Sequence, residues 1–376
     1  MKLSQAETPR LLLDPGKLQR NAEKMAARCR ELGVTQRPHL KTSKSLKVAE
    51  SVLTAKSAPI TVSTLKEADY FAQGGYTDIL YAAAITPNKL ARAGNIQRAT
   101  GARLLLVSDC VELVRAADSR AGELTAGFEV LIEVDCGEHR SGAPPASQAL
   151  LDIANALKET ANLSLAGVMT HAGHSYMTDN TDEHTAIAEN ERAAAAGSAD
   201  ALRAAGHDCT IVSTGSTPTI LHAKHMDGVS EARAGVYLFG DLAQVSLNSC
   251  TLDDIAVSVL ATVIGHNKAN GSLVIDAGAL ALSKDTGANL FMPDARFGYV
   301  CDVNTGEHYP GLSVLKVYQE HGMVPVPDES WFERLGVGAQ VRVLPNHACM
   351  TCAAYESYDV VRDGEIVEQW PRVNGW

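Results

Sequence analysis

Leu104-Leu105-Leu106-Val107-Ser108, a helix-like stretch at Val111–Ala121, and then Glu129-Val130-Leu131-Ile132-Glu133-Val134-Asp135 read as strand, helix, strand. Two short apolar runs joined through a helix point to parallel pairing, because an antiparallel pair needs only a tight turn. The alternation extends both ways. Upstream lie strand-like Arg37–Lys41, Ile60–Ser63 and Asp78–Ala82, with a helical stretch at Lys66–Gln73. Downstream lie Leu165–His171, Thr210–Ser213 and Ala232–Phe239, with helical stretches at Ser147–Glu159, Asp182–Ala205 and Pro218–Lys224. Eight candidate strands alternating with helices predict a (β/α)8 TIM barrel. An open doubly wound sheet is the alternative. It is weakened because no glycine-rich dinucleotide fingerprint follows an early strand.

The flanks differ in texture. Asp14-Pro15 reads as an N-cap with proline at the first helical position. Leu18, Met25, Cys29 and Leu32 then share one helix face, and Gly33 stops the helix. Beyond about residue 245 the runs Ile255–Ile264, Ser272–Ile275, Gln340–Leu344 and Tyr358–Val361 are short, β-branched and separated by glycine-containing turns. The expectation is an α/β barrel over residues 14–245 and a C-terminal β-domain over 246–376. Residues 1–13 would add a strand to that domain through Leu11-Leu12-Leu13.

The chain of 376 residues is 45% apolar and 20% charged, with a formal charge of −11. Acidic residues are spread along it, which argues against a nucleic-acid or membrane partner. No apolar run approaches the ~20 residues of a membrane span. Met1-Lys2-Leu3-Ser4-Gln5 lacks the apolar core of a secretory signal, so a cytoplasmic location is expected. The eight cysteines are too sparse for a disulfide scaffold. Cys349 and Cys352 form a lone C-x-x-C without a redox context.

Active sites of such barrels lie at the C-terminal ends of the strands. Polar candidates gather there: Lys41; Asp135, His139 and Arg140; Thr170, His171, His174, Ser175 and Tyr176; Ser213–Thr219; Tyr237 and Asp241. A lysine amine attacks an aldehyde only when neutral, which burial or cationic neighbours favour. Lys41 ends an apolar run near Arg37 and Lys44; a surface lysine in a basic patch is the plain alternative. Ser213-Thr214-Gly215-Ser216-Thr217-Pro218-Thr219 offers amides and hydroxyls at the start of a helix, a setting that attracts phosphate. It is not a Walker loop, and an ordinary capped βα loop remains open. His347-Ala348-Cys349, read as a strand, puts an imidazole and a thiol on one side, a donor set that suits zinc. A buried histidine with a structural cysteine is the competing reading. Glu133, Asp135, His139 and Arg140 form a charged knot that serves a cofactor or a structural ion pair equally well. A buried amine, a phosphate cradle and a soft metal pair together point to pyridoxal phosphate beside a Lewis acid.

Taken together, Arg37-Pro38-His39-Leu40-Lys41-Thr42, Thr170-His171-Ala172-Gly173, Ser213–Thr219, Arg233-Ala234-Gly235-Val236-Tyr237, Gln319-Glu320-His321-Gly322 and Pro345-Asn346-His347-Ala348-Cys349 resemble a known family. It is the fold-type III pyridoxal-phosphate enzymes related to D-serine dehydratase, D-threo-3-hydroxyaspartate dehydratase and D-threonine aldolase. The resemblance spans nearly the whole chain and implies an alanine-racemase-like barrel, a C-terminal β-domain and a homodimer. It implies that Lys41 is the Schiff-base lysine and that Arg140 contacts the cofactor's phenolic oxygen. Gly215, Ser216, Thr217 and Thr219 would hold the phosphate, and His171, Tyr176 and Tyr237 would line the cofactor site. His347 and Cys349 would bind a divalent metal, zinc first, with manganese, magnesium or cobalt as alternatives. The dehydratases of this family resemble the chain in having His-x-Cys, whereas the aldolases have His-x-Asp. The implied activity is dehydration of a 3-hydroxy-D-amino acid, D-threo-3-hydroxyaspartate or D-serine, to a 2-oxo acid and ammonia. The alternatives are retro-aldol cleavage of D-threonine, an amino-acid racemase and a non-catalytic pyridoxal-phosphate carrier. Cys352 lies outside the recognised pattern.

Overall fold

A computed structural model describes all residues from Met1 to Trp376. The elements run β1 (Arg10–Leu13), α1 (Pro15–Glu31), β2 (Thr35–Gln36), α2 (Leu46–Val52), β3 (Ile60–Val62), α3 (Leu65–Gln73), β4 (Asp78–Ala84), α4 (Pro87–Thr100), β5 (Arg103–Ser108), α5 (Val111–Glu123), β6 (Phe128–Glu133), α6 (Gln148–Glu159), β7 (Leu163–Met169), α7 (Thr181–Ala204), β8 (Ile211–Thr214), α8 (Thr217–His222) and β9 (Glu231–Ala232). They continue with α9 (Leu242–Ser246), β10 (Val257–Asn267), β11 (Ser272–Ile275), α10 (Ala279–Leu282), β12 (Gly298–Asp302), β13 (His308–Ser313), β14 (Lys316–Val317), β15 (Gly322–Pro325), α11 (Ser330–Arg334), β16 (Gln340–Pro345), α12 (Ala348–Cys352), β17 (Ser357–Arg362) and β18 (Glu365–Pro371). The chain packs as two units. One holds residues 24–46, 53–235 and 375–376; the other holds 1–23, 47–52 and 236–374.

The first unit is the barrel. Its eight strands pair in the order β2-β9-β8-β7-β6-β5-β4-β3, all parallel. A bridge between His39 and Thr61 joins the two ends of that order, with the Leu40 amide donating to the Thr61 carbonyl and the Thr61 amide to that of Pro38. Leu80, Leu105, Val107, Leu131, Ala166, Met169 and Ile211 form its buried apolar cluster. Each such leucine contributes about 1.5–3 kcal/mol relative to an exposed one. Charged residues near the strand starts are paired: Arg37 with Asp78 and Glu231, and Arg103 with Glu129.

Two expected strands are shorter than their apolar runs. Regular pairing in the first is Thr35–Gln36, not Arg37–Lys41. Pro38 has no N–H to donate, so beyond it the segment holds on through single contacts, such as the His39 amide to the Ala234 carbonyl. The expected strand Ala232–Phe239 is paired only at Glu231–Ala232. Gly235 lies so close to His39 that an added Cβ would stand 2.6 Å from its carbonyl oxygen. The chain then coils into a 3-10 turn at Val236–Leu238.

The second unit is built on a sheet ordered β13-β12-β16-β10-β1-β17-β18, with β11, β15 and β14 branching from β10. Leu11, Leu12 and Leu13 lie in β1, between β10 and β17. The β1–β17 pair is parallel and the other pairs are antiparallel. No helix is long and apolar enough to cross a membrane.

Candidate functional site

The barrel brings Lys41, Arg140, His171 and Arg233 together from the ends of four different strands. All three cations act on the His171 ring, whose pKa falls to about 3 through burial first, then Lys41, Arg233 and Arg140. His39, which the sequence reading gave no role, is held well below the usual range by burial, Lys41, Arg233 and His171. Both imidazoles are therefore neutral at neutral pH, and the charges that press on them are the cations Lys41 and Arg233 and, at His171, Arg140. A site of that kind favours an anionic ligand. The His171 Nδ1 lies 3.4 Å from the Gly215 carbonyl oxygen.

Lys41 is exposed, which corrects the expectation of a buried amine. It stands one residue past Leu40, whose amide is bonded to strand β3, so it sits at the barrel mouth and not in the core. Arg140 is also exposed, 3.7 Å from Glu133 and 3.4 Å from Glu138. Asp135 and His139 shape the loop that carries it. Asp135 Oδ1 accepts from the amides of Gly137 and His139, and Oδ2 lies 2.7 Å from His139 Nδ1. Tyr176 is half-buried on a 3-10 turn, Gly173–Met177. Tyr237 is buried and belongs to the other unit.

The loop Gly215–Thr219 enters α8 through a capping box in which Ser216 and Thr219 bond reciprocally. Gly215 has φ +121, a conformation that favours glycine. Beneath the loop, the buried Glu191 of α7 accepts from the Gly215 amide at 3.0 Å and from Thr219 Oγ1 at 2.8 Å. Sequence reasoning missed this residue. One hydroxyl of the loop, Thr217 Oγ1, is buried with no partner. A buried donor without a partner is costly and rare, and a phosphate oxygen would satisfy it. The loop and the surrounding cations therefore fit pyridoxal phosphate.

The second unit holds the candidate metal pair, His347 and Cys349. His347 and Cys349 are not on a strand: β16 ends at Pro345, His347 caps α12, and Cys349 lies in that short helix. The side chains still meet, because the His347 ring hydrogen-bonds to Cys349, which accepts from it. Asn346 pins the turn: its side chain donates to Asn289 Oδ1 and the Arg296 carbonyl and accepts from the Ala288 amide. The buried carboxylate of Asp241 accepts from the amides of Gln244 and Ala348, so Asp241 builds the turn. Asp285, which sequence reading did not flag, lies 2.8 Å from His347 Nδ1. Burial opposes a charge on His347, but the bonds it donates to Asp285 and Cys349 outweigh it and raise its pKa to about 11. A metal entering here displaces that proton. With Nδ1 engaged, Nε2 is the nitrogen left for a metal, the carboxylate–histidine arrangement of metal sites. No further His, Cys, Asp or Glu completes a group of three. The pair therefore fits an ion that keeps open positions.

Residues 13–243 match the family model for the alanine racemase N-terminal domain, and residues 256–361 match that for the putative serine dehydratase domain. The chain belongs to this two-domain family. Among the family's members, it is 42% identical to D-threo-3-hydroxyaspartate dehydratase of Delftia sp. (strain HT23), over 98% of each chain. The solved structure of that enzyme superposes with a TM-score of 0.95 over 100% of both chains. D-serine dehydratase of Dictyostelium discoideum is 32% identical over 100% of this chain and 98% of its own. An alanine racemase of Clostridium difficile 630 shares the fold at a TM-score of 0.69 and 15% identity, over 97% of this chain and 98% of its own.

Proposed function

We propose that this chain is a pyridoxal-phosphate- and divalent-metal-dependent dehydratase of 3-hydroxy-D-amino acids, with D-threo-3-hydroxyaspartate the first substrate and D-serine the second. The observation that carries this reading is the side-chain pair of His347 and Cys349, a nitrogen and a sulfur donor, with Asp285 on the remaining ring nitrogen. Such donors favour zinc. A solved structure of a D-threo-3-hydroxyaspartate dehydratase is a cysteine-to-alanine variant in a metal-free form, which supports a metal in the relatives.

The cofactor, when bound, supplies an electron sink for charge developing at Cα, and the metal supplies a Lewis acid for the departing β-hydroxyl. Lys41 would hold the cofactor, and its amine is the base that would take the Cα proton. His171 and His39 stay neutral and do not compete as acids. Arg140 and Arg233 keep the surroundings positive, with Arg140 serving the phenolic oxygen. Gly215, Ser216, Thr217 and Thr219 form the phosphate loop, and Tyr176 lines the cofactor site. His347 and Cys349 would hold the metal. Loss of the proton from Cα and hydroxide from Cβ, followed by tautomerisation and hydrolysis, gives a 2-oxo acid and ammonia.

The deciding experiment assays the zinc-reconstituted protein on D-serine, D-threonine and both D-3-hydroxyaspartate diastereomers. Ammonia and 2-oxo acid in equal amounts are expected. Aldehyde and glycine without ammonia would mean retro-aldol cleavage instead.

A further inference from the structure

We infer that Glu191 is the positioning residue of the phosphate loop, and that it withdraws Gly215 and Thr219 from phosphate binding so that Thr217 makes the hydroxyl contact. The inference rests on the reading of the chain as a pyridoxal-phosphate protein and refines how the loop is used.

Glu191 is fully buried on α7. Its carboxylate collects donors from two strand ends. Oε1 accepts from Thr170 Oγ1 at 3.1 Å, the Ala172 amide at 3.1 Å and the Gly215 amide at 3.0 Å. Oε2 accepts from Thr219 Oγ1 at 2.8 Å. A carboxylate only accepts, so each of these groups spends its proton on Glu191. Thr219 has a single hydroxyl proton, and Glu191 is its charged, and therefore stronger, acceptor. Thr219 Oγ1 in turn accepts from the Ser216 amide at 3.0 Å. Ser216 Oγ lies 2.9 Å from Ser175 Oγ and accepts from the Thr219 amide at 3.3 Å. The Gly215 amide, the Ser216 amide and the Thr219 hydroxyl are thus already committed. Thr217 Oγ1, also buried, has no partner.

Placing a carboxylate beneath an anion loop makes sense only if the donors it takes are those that build the loop. Glu191 ties the start of the loop, Gly215, to the first turn of α8, Thr219, and anchors both to the end of β7. The Thr217 hydroxyl is then left oriented and unspent.

The test uses the full-length protein, freed of cofactor by exchange and titrated with pyridoxal phosphate and, separately, with pyridoxal. The ratio of the two dissociation constants isolates what the phosphate group contributes. In E191Q one face of the side chain becomes a donor, so either the Gly215 amide or the Thr219 hydroxyl loses its acceptor. The ratio is expected to shrink on the order of tenfold, with pyridoxal affinity unchanged. Thr217→Val has no folded-state bond to lose. It is expected to shrink the ratio by a similar factor while leaving the melting temperature of the cofactor-free protein at the wild-type value. A wild-type ratio in either variant, or an equal loss of affinity for both ligands in E191Q, overturns the proposal. Failure of the wild-type chain to take up pyridoxal phosphate would overturn the functional reading itself.

Discussion

At the scale of single residues, the partners of the site residues decide what they can do. Asp285 engages Nδ1 of His347 and so orients the ring. Replacing it with alanine is expected to weaken metal affinity by about 10–100-fold, read by competition with a chromophoric chelator, without disturbing cofactor uptake. His171 makes a second test. Its folded pKa of about 3 lies below the ~6.5 of an unfolded histidine, so its contribution to stability is complete above pH ~6.5. The contribution is lost as pH falls toward the folded value, because the unfolded chain takes up a proton that the site rejects. Melting temperature should therefore fall between pH 6.5 and 5 more steeply in the wild type than in His171→Asn. Equal slopes would mean that the ring is not held neutral. Lys41, His347 and Cys349 stand out in the sequence because each sits in a short distinctive stretch. Asp285 and Glu191 were not, since their partners lie 62 and 24 residues away and nothing local distinguishes them from solvated acids.

At the scale of elements, the strands and their loops were readable where apolar runs coincide with regular pairing, as at β5 and β6. They were misread where backbone chemistry interrupts the ladder. Pro38 and Gly235 shorten the first and last barrel strands, and the run of apolar letters does not reveal it. The metal pair is the sharper case. Strand periodicity predicts that His347 and Cys349 share a side, yet a helical turn produces the meeting. The close pairing of β7 with β8 gives a prediction at this scale. A Cβ on Gly167 would stand 1.9 Å from the Ile211 carbonyl oxygen. Gly167→Ala should therefore cost on the order of 3 kcal/mol or more, measured by urea unfolding, through separation of two strands whose ends carry His171 and the phosphate loop. A change below ~0.5 kcal/mol would show that the strands shift freely.

At the scale of the whole molecule, protein contacts alone secure the turn that carries His347 and Cys349. Asn346, Asp241 and the Thr351 hydroxyl, which donates to the Leu282 carbonyl, hold its backbone. Removing the metal with a chelator should therefore abolish ammonia release while leaving far-ultraviolet circular dichroism unchanged. Loss of the β-domain signal on chelation would mean that the ion is structural. The amino-acid order alone determined the alternation of strand and helix, the change to β-structure near residue 245, and the residue types a phosphate and a soft metal require. These are local properties, written in periodicity and short motifs. Which carboxylate lies under the loop, which one turns the imidazole, and which hydroxyl is left without a partner were decided only by tertiary packing. Hydrogen-bond satisfaction in a buried site depends on groups that the fold brings together from distant parts of the chain.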